Sequence, residues 1–224
     1  MRRRVPTSVR VRYYHCGSVF PIVLRQRSIA VDRLFNRFVP ESRDSAGTFR
    51  AELFAQFPFA PEAQRWLEKE IPLEIHDSTA TSGGGYWHPD RRIVELFTAQ
   101  YEAAIHEHAH AWWHDRRLLD DAAVRLMVAV VHLSEETDPA YAAMAGLARH
   151  YVYGIRQQAD ANSPTGYWRG MLADGNDWEM YAGLASGCMA DIRLLPPYIR
   201  PFYADLFQLL PADAASPLAG AVHR

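Results

Sequence analysis

Four histidines and two acids stand in the run AAIHEHAHAWWHD, residues 103 to 115, among alanine, isoleucine and tryptophan. Imidazole nitrogens and carboxylate oxygens are ligands for divalent metals such as zinc. Within the run, His106, Glu107 and His110 form the pattern HExxH. On a helix, residues four apart share one face and lie about 6 Å apart along the axis, so both imidazoles can reach one ion while the glutamate reaches a water beside it. The spacing therefore predicts a metal site on a helix.

The other histidines of the run point elsewhere. At about 100° per residue, His108 points about 200° away from His106, and His114 lies about 12 Å along the axis from it. We therefore predict that neither is a ligand. The side chains around the ligand face are small or apolar, which is typical of a helix at the floor of a cleft.

A catalytic zinc ion needs a third protein ligand and an open position. The pattern HExxHxxGxxH is excluded, because Trp113 and Arg116 occupy the positions where it requires glycine and histidine. Glu179 is the better candidate. It is the only charged residue between Asp177 and Asp191, in a segment that is apolar around nearly its whole circumference. A carboxylate buried in such a helix requires a partner.

Small side chains on the same helix face support Glu179 as the third ligand. Ala182, Gly183 and Ser186 follow it at three, four and seven residues. Their size allows this helix to approach the HExxH helix closely. The alternative is that Glu179 forms a salt bridge with a buried arginine.

The elements around these residues predict an α+β fold, with a short sheet packed on the HExxH helix and a mostly helical C-terminal half. Apolar periodicity, turn residues and capping residues mark the elements. Asp138 is the expected N-cap of one helix, and Asn176 or Asp177 of another. In chain order, the prediction gives helices at 48–57 and 61–70, strands at 71–75 and 92–96, the HExxH helix, helices at 120–136 and 138–157, a partly ordered loop at 159–175, and helices at 176–191 and within 197–210.

Three glycines, Gly83 to Gly85, precede the second predicted strand. They have two interpretations: a flexible hairpin loop, or a place where the backbone approaches a ligand closely. A phosphate-binding loop is excluded, because no GK[ST] sequence follows.

Composition predicts one compact domain with tails. The chain has 224 residues, of which 49% are hydrophobic, so it can bury a sizeable core. We place an arm at 1–46, the domain at 47–210 and a flexible tail at 211–224. Cys16 and Cys188 give neither a disulfide framework nor a thiolate cluster, which favours the cytoplasm. No apolar run approaches the roughly 18 residues of a membrane helix, so no membrane partner is expected.

The arm differs sharply in charge from the rest of the chain. Residues 1–40 contain nine arginines and the single acid Asp32, a net charge of +8, whereas the remainder has 15 basic and 25 acidic residues, a net charge of −10. The arm has four interpretations: a nucleic-acid arm, a transit-like sequence, an inhibitory arm, or translated sequence upstream of the true start. No known nucleic-acid module is visible, which favours a mobile arm without chemistry.

With these residues in hand, the chain resembles the gluzincin branch of the zincin metallopeptidases. The resemblance is carried by HExxH at 106–110, by Glu179 in WEMYAG and, more loosely, by the glycine-rich hairpin GGGYWHPDRRIVEL. It spans residues 70–190 in outline, and only HExxH is specific. It implies a zincin-like domain in which an edge strand pairs with an extended peptide and zinc lies at the cleft floor. Oxyanion stabilisation would fall to Tyr167, Tyr181, Tyr86 or His114, and Tyr167 is favoured.

We therefore expect a zinc metallopeptidase with one zinc ion per chain, held by His106, His110 and Glu179. Metal-activated water would attack a peptide or protein substrate, and Glu107 would act as the general base. The first alternative is a catalytically silent zincin-like domain used for binding or regulation. The second, less favoured, is a nucleic-acid-associated factor that uses the arginine-rich arm. The sequence leaves the oligomeric state open.

Overall fold

The structure is a computed structural model that describes residues 44–76, 84–116, 120–158 and 176–212. It confirms the α+β class, with a small mixed sheet among helices. The elements are α1 (Asp44–Gln56), α2 (Pro61–Glu70), β1 (Leu73–Ile75), β2 (Gly85–His88), β3 (Ile93–Leu96), α3 (Tyr101–Arg116), α4 (Asp120–Ser134), α5 (Ala142–Gln158) and α6 (Asn176–Gly187), with short 3-10 segments at Pro139–Tyr141, Ile192–Leu194 and Arg200–Phe202.

The three described strands are ordered β1-β3-β2, with β1 parallel and β2 antiparallel to β3. Because side chains alternate along a strand, one face of the sheet carries the buried residues Trp87, Val94 and Leu96. Helix α3 packs on the sheet through β2 and β3, as the sequence predicts. Strand β2 lies at the edge of the described sheet.

The turn between β2 and β3 is tied to the C-terminal part of α3. The guanidinium of Arg92 donates to both carboxylate oxygens of Asp115, at 3.2 and 3.0 Å. It also lies over the ring of Trp66, 5.8 Å from the centroid. Arg92 has a φ of 53°, which is uncommon for a side chain with a Cβ, so these contacts hold a strained turn. The position of this turn therefore fixes where β2 crosses α3.

Helices α3 and α6 pack along each other in the core. The ring of Tyr181 lies between those of Trp113 and Tyr203, with both pairs stacked at 4.4 Å between centroids. The hydroxyl of Tyr203 donates to the carbonyl oxygen of Tyr181 at 3.0 Å. A stack of three large rings buries a large apolar area and sets the spacing between the helices.

The predicted N-cap at Asp138 is confirmed, since its side chain accepts from the amide of Ala140 at 2.9 Å. The cap opens a 3-10 turn, and α5 follows it. Helix α6 is shorter than predicted and ends at Gly187. Met189 and Ala190, with φ of 47° and 62°, then take the left-handed conformation that commonly ends a helix.

The predicted helix within Pro197–Leu210 is wrong. In its place the chain forms turns and one 3-10 segment, Arg200–Phe202. Pro201, in the interior of the predicted helix, lacks the amide hydrogen that a helix needs there and clashes with the carbonyl group one turn earlier. Further on, Phe207 pairs with Phe59 in an isolated β-bridge, which requires extended backbone.

Several sequence predictions fall outside the described residues. They concern most of the arm at 1–46, the loop at 159–175 with Tyr167, Cys16, and most of the tail at 211–224. Across the described ranges, no helix combines the length and the apolar character needed to cross a membrane.

Candidate metal centre

His106, His110 and Glu179 converge, as the spacing along α3 and the apolar context of α6 predict. The Nε2 atoms of the two histidines lie 3.0 Å apart. The Glu179 oxygens complete the group: Oε2 lies 3.4 Å from Nε2 of His106, and Oε1 lies 3.4 Å from Nε2 of His110. Two nitrogens and a carboxylate thus face one point between two helices.

The donor set fits a zinc ion. Ligand atoms about 2.0 to 2.2 Å from zinc at tetrahedral angles lie about 3.3 to 3.6 Å apart, close to the observed separations. Two neutral imidazoles and one carboxylate are also a ligand combination that zinc accepts while a fourth position stays open. The group can therefore hold a metal ion.

The far nitrogen of His106 is oriented by α6. Its Nδ1 lies 3.4 Å from Oγ of Ser186, and that hydroxyl donates to the carbonyl oxygen of Gly183 at 3.2 Å. With Nδ1 carrying the hydrogen toward the serine oxygen, Nε2 keeps its lone pair for an ion. Nδ1 of His110 is buried and has no hydrogen-bond partner within the described ranges.

The two sides of the group differ in exposure. The side chains of His106 and His110 are each 8% exposed, whereas that of Glu179 is 38% exposed. The partners described for Glu179 are these imidazoles, so the arginine alternative finds no support. Burial by itself would raise the pKa of Glu179, but His110 and His106 outweigh it and hold the pKa well below its usual range. The carboxylate is therefore ionised at neutral pH.

Glu107 is buried next to the group and contacts the edge strand. An ideal Cβ built on Gly85 would lie 3.0 Å from Cγ of Glu107 and 2.8 Å from the carbonyl oxygen of Glu95. Only glycine at position 85 allows this close approach between the strand and the side chain of Glu107. That the glycines also approach a ligand stays a prediction, and Gly83 lies outside the described residues. The backbone amide of Trp87 donates to the Glu107 carboxylate.

The pKa of Glu107 is raised to about 7, chiefly by burial. The imidazole of His106 and the amide of Trp87 oppose this rise, while the negative charge of Glu179 adds to it. A carboxyl group with a pKa near neutrality exchanges a proton readily at neutral pH.

His108 lies on the other side of α3, as predicted. Its Nδ1 donates to the carbonyl oxygen of Ala104 at 2.7 Å, and its ring makes edge contacts with Phe54 and Phe59. Burial chiefly, together with the charge of Arg50, lowers the pKa of His108 to about 3. The imidazole is a neutral member of the core.

His114 continues the ligand face of α3 beyond the convergent group. Its ring lies between the indoles of Trp178 and Trp87, at centroid distances of 5.0 and 6.1 Å. Trp178 also approaches the ring of His110 at 6.5 Å. These aromatic rings form a wall beside the group. His114 is not one of the three residues that converge there.

Two of the tyrosines considered for oxyanion stabilisation lie in other places. Tyr181 is fully buried in the ring stack with Trp113 and Tyr203. Tyr86 alternates with the buried Trp87, so its side chain lies on the face of the sheet opposite α3. Tyr167 lies outside the described residues, and its role stays a prediction.

Sequence reasoning missed a contact that positions the candidate ligands. Trp113 donates from its indole nitrogen to Oδ2 of Asp177 at 2.7 Å, which ties α3 to the first turn of α6. The only sequence signal for this contact is the acid Asp177 at the start of the helix, two residues before Glu179, and that position predicts an N-cap. The expectation for Gly183 also needs correction, because the ring of Tyr151 from α5, and not α3, occupies the space beside it.

The geometry thus brings together the three residues expected to hold a metal and sets Glu107 beside them. Comparisons with known proteins give no match: no family model, no curated protein and no solved structure matches this chain.

Proposed function

We propose that the protein is a zinc-dependent hydrolase of peptide bonds. The observation that carries the proposal is the convergence of His106, His110 and Glu179, with Glu107 buried at the next position of α3. A metal group alone fits many roles. The adjacent carboxylate, held by a strand amide and not needed as a ligand, favours hydrolysis.

Zinc, when bound, would polarise the scissile carbonyl group and acidify a water molecule. Glu107 would take a proton from the attacking water as the new C–O bond forms. It would then pass the proton to the nitrogen as the C–N bond breaks, so that an acid and an amine leave. The amide of Trp87, which donates to the carboxylate, would orient it for both transfers.

The edge that β2 forms in the described part of the sheet supports an extended peptide as the substrate. The amide of Phe97 donates to the carbonyl oxygen of Gly84 at 3.1 Å, which fixes the ladder between β2 and β3. Alternation along an antiparallel strand then turns the amide and carbonyl groups of Gly85 and the carbonyl oxygen of Trp87 toward this edge, while the amide of Trp87 donates to Glu107. An extended peptide could pair with this edge and pass Glu107. A peptide or protein as the substrate is therefore part of the proposal. A cytoplasmic location, which the cysteine content of the sequence favours, is also part of it.

The decisive experiment compares wild type with Glu107→Gln on a broad peptide library. The variant removes the base and keeps all three ligands, so zinc content and thermal stability should stay the same. Hydrolysis should fall by roughly the 10²- to 10⁴-fold that general-base catalysis contributes. Glu62→Gln, at an exposed position of α2, is the matched control and should cleave like wild type.

Three results would count against the proposal. Equal cleavage by wild type and Glu107→Gln would assign the activity to a contaminant or to other residues. Full zinc occupancy in both proteins without any cleavage across the library would favour the catalytically silent domain. Salt-dependent nucleic-acid binding that disappears on truncation of residues 1–45 would favour the nucleic-acid factor.

A further inference from the structure

A second group of metal-ligand side chains lies on the outer face of the sheet, the face opposite α3. This outer-face cluster consists of Glu74, His76, His88 and Glu95. Glu74 and Glu95 are partners in the parallel register of β1 and β3, and His88 follows on β2. All three strands therefore contribute to the cluster.

The contacts of the outer-face cluster centre on the Glu95 carboxylate. Oε1 lies 3.1 Å from Nε2 of His76, and Oε2 lies 2.8 Å from Nε2 of His88. Nε2 of His76 also lies 3.6 Å from Oε2 of Glu74. The Glu95 side chain is 19% exposed, so its carboxylate lies partly shielded beneath the others.

The charge of the cluster favours a cation. Carboxylates on neighbouring strands repel each other when nothing lies between them. The nearest guanidinium described, that of Arg91, lies 3.7 Å from Oε2 of Glu74 and is half exposed, so it offsets little of the charge. The cluster thus combines two carboxylates with Nε2 of His76, a nitrogen that can offer its lone pair to an ion.

We propose that the outer-face cluster is a second divalent-metal site, with Glu74, His76 and Glu95 as ligands. Their ligand atoms lie within 4.8 Å of one another, and the distances from Nε2 of His76 to the two carboxylates, 3.1 and 3.6 Å, are close to those of a tetrahedral zinc site. His88 donates its Nε2 hydrogen to the far oxygen of Glu95. It thereby acts as the outer partner that commonly orients a ligating carboxylate.

The ligand types indicate zinc or a similar borderline ion. An imidazole with two carboxylates suits this class, whereas calcium and magnesium prefer oxygen ligands alone. Binding should be weaker than at the group on α3, because two of the ligand side chains, Glu74 and His76, are 41% and 48% exposed. The bound ion would cross-link β1 and β3 and, through His88, hold β2.

The test uses the full chain carrying His106→Ala and His110→Ala, which removes the first group. Isothermal titration with Zn²⁺ should then show one ion per chain. Adding Glu95→Gln or His76→Gln should weaken that binding by at least the roughly 10- to 100-fold that loss of an outer-shell partner costs. His150→Gln, an exposed histidine on α5, is the matched control and should bind like its parent.

Absence of Zn²⁺ binding in the folded double variant would overturn the proposal, since a hydrogen-bonded cluster would then explain the contacts. Unchanged binding after both Glu95→Gln and His76→Gln would also overturn it. If the double variant does not fold, wild type is titrated with Co²⁺. Two binding steps, the weaker lost in His76→Gln, would support the proposal, and saturation at one ion would contradict it. Neither result depends on peptide hydrolysis.

Discussion

The indole nitrogen of Trp113 donates a 2.7 Å hydrogen bond to Oδ2 of Asp177, and both side chains are buried. The bond joins the helix that carries His106 and His110 to the helix that carries Glu179. Since Asp177 precedes Glu179 by two residues, the bond fixes where the third candidate ligand enters the group.

Trp113→Phe should therefore weaken both folding and metal binding. It keeps most of the ring stacked on Tyr181 and removes the indole donor. A hydrogen bond to a charged group contributes about 1.5 to 3 kcal/mol, so the free energy of unfolding should fall by that order. Urea denaturation measures the loss. Trp87→Phe is the matched control for stability, because the indole nitrogen of Trp87 has no partner among the described residues. Equal losses in both variants would mean that ring size, not the bond, matters.

Removal of a single ligand side chain should abolish tight metal binding. After dialysis without added zinc, wild type should retain about one ion per chain at the tighter group, and His110→Ala should retain none, because two ligands hold zinc poorly. Zinc at about 100 times its Kd should stabilise wild type by about 2.7 kcal/mol and leave His110→Ala nearly unchanged. Elemental analysis and thermal unfolding measure the two effects. Retained zinc in the dialysed His106→Ala, His110→Ala double variant would disprove the assignment.

His114→Gln tests whether the ligand set stops at His110. His114 lies one turn further along α3, between Trp178 and Trp87, so its replacement should leave zinc occupancy near that of wild type. The expected change is a modest loss of stability from poorer packing between the indoles. Loss of zinc with the circular dichroism spectrum intact would place His114 among the ligands.

Gly85→Ala should damage the site more than the fold of the helices. Its Cβ would lie 2.7 Å from Cδ2 of Leu96 and 3.0 Å from Cγ of Glu107, so β2 must shift away from the carboxylate. We expect zinc to stay bound while peptide hydrolysis falls at least about tenfold, since misplacement by about 1 Å costs up to 10²-fold. Gly47→Ala, where an added Cβ meets nothing within 4 Å, is the matched control. Equal activity in the two variants would contradict the close approach.

The buried His108 should make the free energy of unfolding depend on pH. Its pKa is about 3 in the folded protein and about 6.5 in an unfolded chain, so between these values only the unfolded chain binds the proton. The free energy of unfolding should fall as the pH decreases from about 6.5 toward 3, by up to about 1.4 kcal/mol per pH unit from this group. His108→Leu should lack this component, and urea titrations across the window measure the difference. Parallel curves for wild type and variant would refute a buried neutral imidazole.

The local parts of the site could be predicted from the sequence because they follow from helix periodicity. The spacing of His106 and His110 places both on one helix face. The apolar sequence around Glu179 indicates that its carboxylate requires a charged or hydrogen-bonding partner. The bond between Trp113 and Asp177 could not be predicted, because it depends on how two distant helices pack. The same holds for Gly85 against Glu107.

The errors in the predicted secondary structure have local causes. Apolar residues at helical spacing within 197–210 outweighed Pro201, although its missing amide hydrogen argued against a helix. The end of α6 was misplaced because Met189 and Ala190 adopt a conformation for which a helix end normally uses glycine. The order of the strands depends on pairing between segments, which local patterns do not encode.

The positions of the three candidate ligands along the chain bear on how the protein assembles. His106 and His110 stand four residues apart, whereas Glu179 follows 69 residues after His110. An unfolded chain therefore keeps a two-histidine chelate that holds zinc weakly, and zinc bound there at high zinc concentration would favour the helical turn at 106–110, since nucleation is the costly step of helix formation. We expect zinc to speed refolding as well as to slow unfolding, with α6 docking onto a helix that already holds its ion.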